Sequence, residues 1–246
     1  MSIAQDVLLT TSDGQKISCS HYNNASEKVI IIAHGFFNSK DAVLLKDLGQ
    51  EVFSYGYDVL MMDFRGHGKS TGLFYWTAKE PLDLMAVLDF AKERYRKIGV
   101  IGFSLGAATS IVTASRVKGI DSLIAISPPI SFSEIEFHFW ECHVQHELLY
   151  TMIGEGVLGK GVRPGPLWLK KDNPIDCMAA VACPTMFLHG DIDWVIRHRH
   201  SVALYAKAQC KKELVIVRDG PHAEYLIQRQ REQTIGSIRR WLSETL

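Results

Sequence analysis

Short apolar runs and helically spaced apolar positions take turns along most of this chain, and that alternation predicts its elements. Asp6–Thr10 and Lys16–Tyr22 flank Ser12-Asp13-Gly14, a turn signal that suits an antiparallel hairpin. Val29–Ala33 (VIIIA) is a β-branched run of the kind found in strands covered on both faces. Residues 41–55 suit a helix and Asp58–Met62 a strand. Thr77 and Glu80 have the spacing of a capping box, and behind them Leu84, Leu88, Ala91 and Tyr95 recur at helical intervals. Strand Ile98–Ile101, helix 105–117 and strand Ser122–Ile126 follow. Further on come strand Thr185–Leu188, helix 199–209, strand Glu213–Val217 and a closing helix from about His222 to Leu242. Strands alternating with helices imply the α/β class, with a mostly parallel sheet and helices on both its faces.

The alternation fails between Ser127 and about Asp176, a stretch rich in aromatics and histidine, then in glycine and proline. That is too long for an ordinary connection and predicts a small cap or binding loop, 127–176, inserted in a single domain spanning 1–246. Chain length permits this, since a domain of this size buries roughly 70–75% of its unfolded surface and needs no disulfide or structural metal. The 27 basic and 27 acidic residues cancel, which speaks against a nucleic acid or an anionic membrane as partner. Five cysteines without CxxC spacing suit free thiols in a reducing compartment. The opening MSIAQDVLLTTSDG lacks the basic and apolar regions of a secretory signal. No apolar run approaches the ~20 residues that span a bilayer. The expectation is a soluble, cytoplasmic protein.

Chemistry concentrates where predicted strands end. Gly102-Phe103-Ser104-Leu105-Gly106 sits between an apolar strand and the small-residue helix that opens at Ala107. A turn that sharp strains its central residue, and flanking glycines avoid clashes with neighbouring elements. It exposes the serine at a helix N-terminus, where backbone N–H groups can receive a developing oxyanion. A serine hydroxyl needs a base, and the base an orienting carboxylate. His222, past a strand end in Asp219-Gly220-Pro221-His222-Ala223-Glu224, shares the sheet edge of Ser104. His189-Gly190-Asp191-Ile192-Asp193 follows another strand and offers two carboxylates, one of them suited to a structural hydrogen bond. His34-Gly35-Phe36-Phe37 follows a third strand; the Phe36 N–H, paired with that of Leu105, is the candidate oxyanion site, with His34 as a prop.

Taken in order, HGFF, Asp63-Phe64-Arg65-Gly66-His67-Gly68-Lys69-Ser70, GFSLG, HGDIDWV and GPHAE resemble the α/β-hydrolase superfamily, outside 127–176. The likeness is strongest to small serine esterases and to the hydrolase domains of prolyl-oligopeptidase-type enzymes. It implies an α/β-hydrolase fold and a Ser104–Asp193–His222 triad, Asp193 being the aspartate three residues after the glycine of HGxxD. It also implies that Asp63, Arg65 and His67 belong to a structural loop rather than to the chemistry. Ile196 stands where relatives often have proline, a difference expected to touch loop stiffness alone. The expected activity is cleavage of a small-molecule ester, short- to medium-chain or aryl, through an acyl-enzyme and without cofactor. A thioesterase, a feruloyl-type esterase and a peptidase remain as alternatives, and outside enzymes a catalytically dead binding protein.

Phe37, Phe74, Trp76, Phe137, Phe139 and Trp140 fall in predicted loops or in the insertion and are candidates to line the pocket. Glu134, His138, Cys142 and His146 recur every four residues with His143 beside them, which reads as a polar helix face rather than a metal site. Arg197-His198-Arg199-His200 reads as a solvated basic surface.

Overall fold

The apolar runs become strands of one sheet in the computed structural model, which describes residues 4–136, 162–166 and 168–246. In chain order they are β1 (Gln5–Thr10), β2 (Lys16–Tyr22), β3 (Lys28–Ala33), β4 (Asp58–Met62), β5 (Lys97–Phe103), β6 (Ser122–Ile126), β7 (Thr185–Gly190) and β8 (Lys212–Val217). Across the sheet the order is β1-β2-β4-β3-β5-β6-β7-β8. β1 and β2 form the expected hairpin, β2 runs antiparallel to β4, and the remaining pairings are parallel. The helices are α1 (Val43–Ser54), α2 (Glu80–Lys92), α3 (Leu105–Arg116), α4 (Pro174–Cys177), α5 (Arg199–Lys207), α6 (Tyr225–Arg229) and α7 (Arg231–Thr245).

β3 shows why its sequence is apolar throughout. Successive side chains of a strand point to opposite faces. Val29, Ile31 and Ala33 share a core with Leu84 and Leu88 of α2 and Ile111 of α3. Ile30 and Ile32 share another with Leu45 and Leu48 of α1 and Ile238 and Trp241 of α7. Both faces are covered, and each of the valine and isoleucine side chains contributes about 1.5–3 kcal/mol by leaving water. From β3 the chain goes to β4 on one side and then crosses over to β5 on the other, a switch point that opens a crevice at the C-terminal ends of the strands. That edge carries His34–Phe36 after β3, Ser104 after β5, Asp193 after β7 and His222 after β8.

Two local expectations are corrected. Lys79, not Thr77, holds the cap position of α2, and Thr77 has a left-handed φ of 74°. The Glu80 carboxylate still reaches back, accepting the Tyr75 N–H at 2.7 Å and the Lys79 N–H at 3.3 Å. The closing helix is two helices, broken at Gln230 with φ −129° and ψ 45°. The break turns Leu226 and Ile227 of α6 into the core shared with α1, while Ile235, Ile238 and Trp241 of α7 pack along the sheet. His222 precedes both in a turn, next to Ala223 with a φ of 48°.

Within 127–176 the described residues include a 3-10 turn at Phe132–Glu134, a segment at 162–166 and α4. The segment is tied to the loop after β4. Arg163 N–H donates to Gly66 O at 2.7 Å, Phe74 N–H to Arg163 O at 2.9 Å, and Trp76 Nε1–H to Gly165 O at 3.1 Å. Phe137, Phe139 and Trp140, and the histidines and Cys142 of the stripe beginning at Glu134, lie outside the described residues. No described helix is long and apolar enough to cross a membrane.

Candidate active site

Ser104 sits at φ 51° and ψ −117°, a backbone state that costs a non-glycine residue on the order of 1–3 kcal/mol. The surroundings hold it there. Its N–H donates to Ile126 O at 2.8 Å, and its C=O accepts from Ala108 N–H at 3.0 Å in the first turn of α3. The flanking glycines permit the turn by close approach. A Cβ on Gly102 would lie 2.7 Å from Ala107 Cα, and one on Gly106 would lie 2.3 Å from His34 O and 2.4 Å from Ala33 O. Leu105 is the first residue of α3, so its N–H has no partner within the helix and stands at the positive end of the dipole.

A continuous hydrogen-bonded line runs from the serine into the protein. Ser104 Oγ lies 3.1 Å from His222 Nε2, and His222 Nδ1 lies 2.7 Å from Asp193 Oδ2. A carboxylate only accepts, so Nδ1 carries the imidazole proton and Nε2 is free to accept the hydroxyl proton of Ser104. Asp193 is fully buried. Its Oδ1 accepts N–H bonds from Val195 at 3.0 Å and Ile196 at 2.9 Å. Burial alone would raise this carboxyl, but the charge and hydrogen bonds of His222 and His189 hold it well below the usual carboxylate range. Burial alone would lower His222; the Asp193 carboxylate outweighs it and raises the imidazole above its ordinary 6.5. A base raised this way is strengthened for taking a proton.

Asp191, the other carboxylate of that loop, accepts the Gly220 N–H at 3.3 Å and ties the β7 loop to the β8 loop. His34 is a prop, as expected: Nδ1–H donates to Gly35 O at 2.7 Å and Nε2 accepts the Phe64 N–H at 3.0 Å. Burial pushes it down to about 4, so it stays neutral. Phe36 stacks at 5.2 Å on Phe74 and lies 3.7 Å from Phe37 and 4.8 Å from Trp76, ring centre to ring centre. Phe74 and Trp76 are buried against Leu105, and Phe37 lies beside Phe36, so three of the six pocket candidates gather beside the elbow. Arg65 is also structural, spanning Asp83 at 2.7 Å and Asp13 at 2.7 Å from a buried position.

Two sequence expectations change here. The basic cluster is not simply solvated: His200 is fully buried, with Nδ1 accepting the Ile130 N–H at 3.1 Å. Glu136 caps the cluster, accepting from Arg197 N–H at 3.0 Å and Arg199 Nε–H at 2.8 Å. Ile196 also matters beyond stiffness, because its N–H donates to Asp193 and a proline there has none to give. The sequence reading passed over His189. Ser201 Oγ–H donates to its Nδ1 at 2.7 Å, which leaves Nε2–H to donate to Ile196 O at 2.8 Å, 3.2 Å from Asp193 Oδ2. Its signal was its place at the head of HGDID, the motif that carries the candidate acid. Ser127, also missed, accepts the Ala223 N–H at 3.1 Å and so fixes the turn holding His222.

Comparison with known proteins adds a family. A family model described as serine aminopeptidase, S33, matches residues 24–152, just over half of the chain. The protein YfhR of Escherichia coli K12 is 24% identical over 251 residues, covering 96% of this chain and 80% of its own. Among solved structures, the esterase Pf2001 of Pyrococcus furiosus superimposes with a TM-score of 0.80 at 28% identity, covering 98% of this chain and 92% of its own. Est1E of Butyrivibrio proteoclasticus, solved with ferulic acid bound, gives a TM-score of 0.70 at 22% identity over 97% and 99% of the two chains. At that identity the second likeness concerns the fold.

Proposed function

The chain belongs to the serine aminopeptidase S33 family of the α/β-hydrolase superfamily, and from that membership we propose that it hydrolyses carboxylic esters through an acyl-enzyme on Ser104. The observation that carries the reading is the unbroken line Ser104–His222–Asp193, at 3.1 Å and 2.7 Å, on a strained strand-to-helix turn. His222 Nε2 takes the hydroxyl proton as Ser104 Oγ attacks the ester carbonyl carbon. The carbonyl oxygen becomes an oxyanion received by the N–H groups of Phe36 and Leu105. As the intermediate collapses, the bond to the alcohol oxygen breaks and the imidazolium returns its proton to that oxygen. Water then repeats the sequence on the acyl-enzyme and releases the acid. Asp193 holds the productive tautomer and stabilises the imidazolium while it exists.

The aromatic packing beside the serine supports a substrate class. Phe36, Phe74 and Trp76 pack on one another and on Leu105, which favours short, medium or aryl acyl groups over long chains. Phe132, Ile135 and Val162, from the described parts of 127–176, pack against this cluster and narrow it further. The family's description favours a second possibility, cleavage of an aminoacyl amide by the same residues. Initial rates on p-nitrophenyl acetate, butyrate and octanoate, a feruloyl ester, an acyl-CoA and an aminoacyl p-nitroanilide separate the two. The ester reading expects acetate, butyrate and feruloyl esters to lead. A dominant anilide rate replaces it with a peptidase, and no turnover by folded protein replaces both with a binding role.

A further inference from the structure

The loop after β3 and the turn after β8 are joined by one buried hydrogen bond between residues 186 positions apart. Asn38 Nδ2–H donates to Glu224 Oε1 at 2.6 Å, with Asn38 fully buried and Glu224 6% exposed. The other end of the Asn38 amide is used locally, Oδ1 accepting the Ser39 N–H at 2.9 Å. Asn38 lies two residues after Phe36, and Glu224 two residues after His222. Burying a carboxyl group is unfavourable unless it is hydrogen-bonded, and an apolar pair would join two loops without that cost. Among the described residues no lysine or arginine forms an ion pair with Glu224. Its side-chain hydrogen-bond partner is Asn38, and the charges of His222 and Asp193 act on it with opposite signs. A polar pair kept at this place holds two functional segments in one geometry.

We infer that Asn38 and Glu224 form a positioning clamp, fixing the loop that presents the Phe36 N–H against the turn that presents His222. This rests on the acyl-transfer reading above, in which the oxyanion donor and the base must keep their spacing while the carbonyl carbon becomes tetrahedral. Neither side chain touches substrate in this account; both act through the segments they join. Ångström-scale loosening of such a pair costs rate far more than it costs binding.

The test compares Asn38→Ala, Glu224→Ala, the double variant and Glu224→Gln. The readouts are kcat and KM on p-nitrophenyl butyrate, labelling rate with a fluorophosphonate, and thermal unfolding. Each alanine variant is expected to lower kcat by about 10- to 100-fold with KM within about threefold. The double variant should be no worse than the weaker single, because both remove the same contact. Glu224→Gln, whose amide oxygen still accepts from Asn38, should recover most of the rate. Independent, multiplying losses, or losses confined to KM, would overturn the clamp. If Glu224→Ala does not fold, Asn38→Ala decides, and wild-type kcat in that folded variant overturns the clamp as well. A wild-type protein that neither turns over esters nor takes the label sinks the acyl-transfer reading itself. Active wild type with an unaffected Asn38→Ala sinks only the clamp.

Discussion

One methyl group at Gly106 puts a number on how closely α3 must approach the end of β3. The Cβ of Gly106→Ala would stand 2.3 Å from His34 O, 2.4 Å from Ala33 O and 2.9 Å from Ala33 C. Ordinary contact begins near 3.4 Å, and all three atoms are backbone that cannot rotate aside. The N-terminus of α3 must therefore withdraw by about 1 Å, with Ser104 and Leu105 riding on it. Overpacking of this kind costs roughly 1–3 kcal/mol, which lowers the Tm of a domain this size by about 3–10 °C. An ångström of misplacement at the reacting groups costs about 100-fold in rate. The assay is kcat/KM on p-nitrophenyl butyrate beside a thermal melt. Gly236→Ala is the control, since that glycine is exposed in α7 and a Cβ there meets nothing within 4 Å. It should leave activity alone and add up to about 1 kcal/mol of stability. Gly106→Ala with a wild-type melt and rate within threefold of wild type would refute the argument.

Other residues make separate tests. Asp193→Asn should cost on the order of 10⁴ in kcat and Asp191→Asn far less, since the second carboxylate only accepts one long N–H bond; the reverse ranking in two folded variants contradicts the assignment. His222 must be neutral to act, and burial, which lowers it, is outweighed by the Asp193 charge. kcat/KM should therefore fall as pH drops through a value above 6.5, and the residual activity of Asp193→Asn should show its acid limb at lower pH. An acid limb that stays put or rises in the variant contradicts this. Ile196→Pro removes one donor from Asp193 Oδ1, an interaction worth about 1.5–3 kcal/mol to a charged acceptor, and should lower kcat by about tenfold or more; an unchanged rate would show that the donor is dispensable.

What the sequence made legible is what local chemistry decides. The strands are apolar because both faces of the sheet are covered, so Val29–Ala33 and Ser122–Ile126 announce themselves without any partner in view. The elbow is legible because glycine at 102 and 106 answers a steric need only a strand-to-helix turn creates. What stayed hidden depends on distant contacts. His200 looks like one of four surface charges until Glu136 is seen, 64 residues away, covering it. Glu224 looks like an exposed helix residue until Asn38 reaches it. The break at Gln230 follows from where Leu226 and Ile227 find a core, which no periodicity in the closing segment reveals.

The central claim is that Ser104 is the nucleophile, and covalent labelling reads it directly. A fluorophosphonate probe should modify one site on the wild-type protein, mapped by peptide mass spectrometry to Ser104, and should abolish turnover of p-nitrophenyl butyrate in proportion to labelling. Ser104→Ala should melt close to wild type, take no label and lose activity by about 10⁴–10⁶-fold. Labelling elsewhere, or a folded Ser104→Ala variant that still turns over ester at the wild-type rate, would contradict the account.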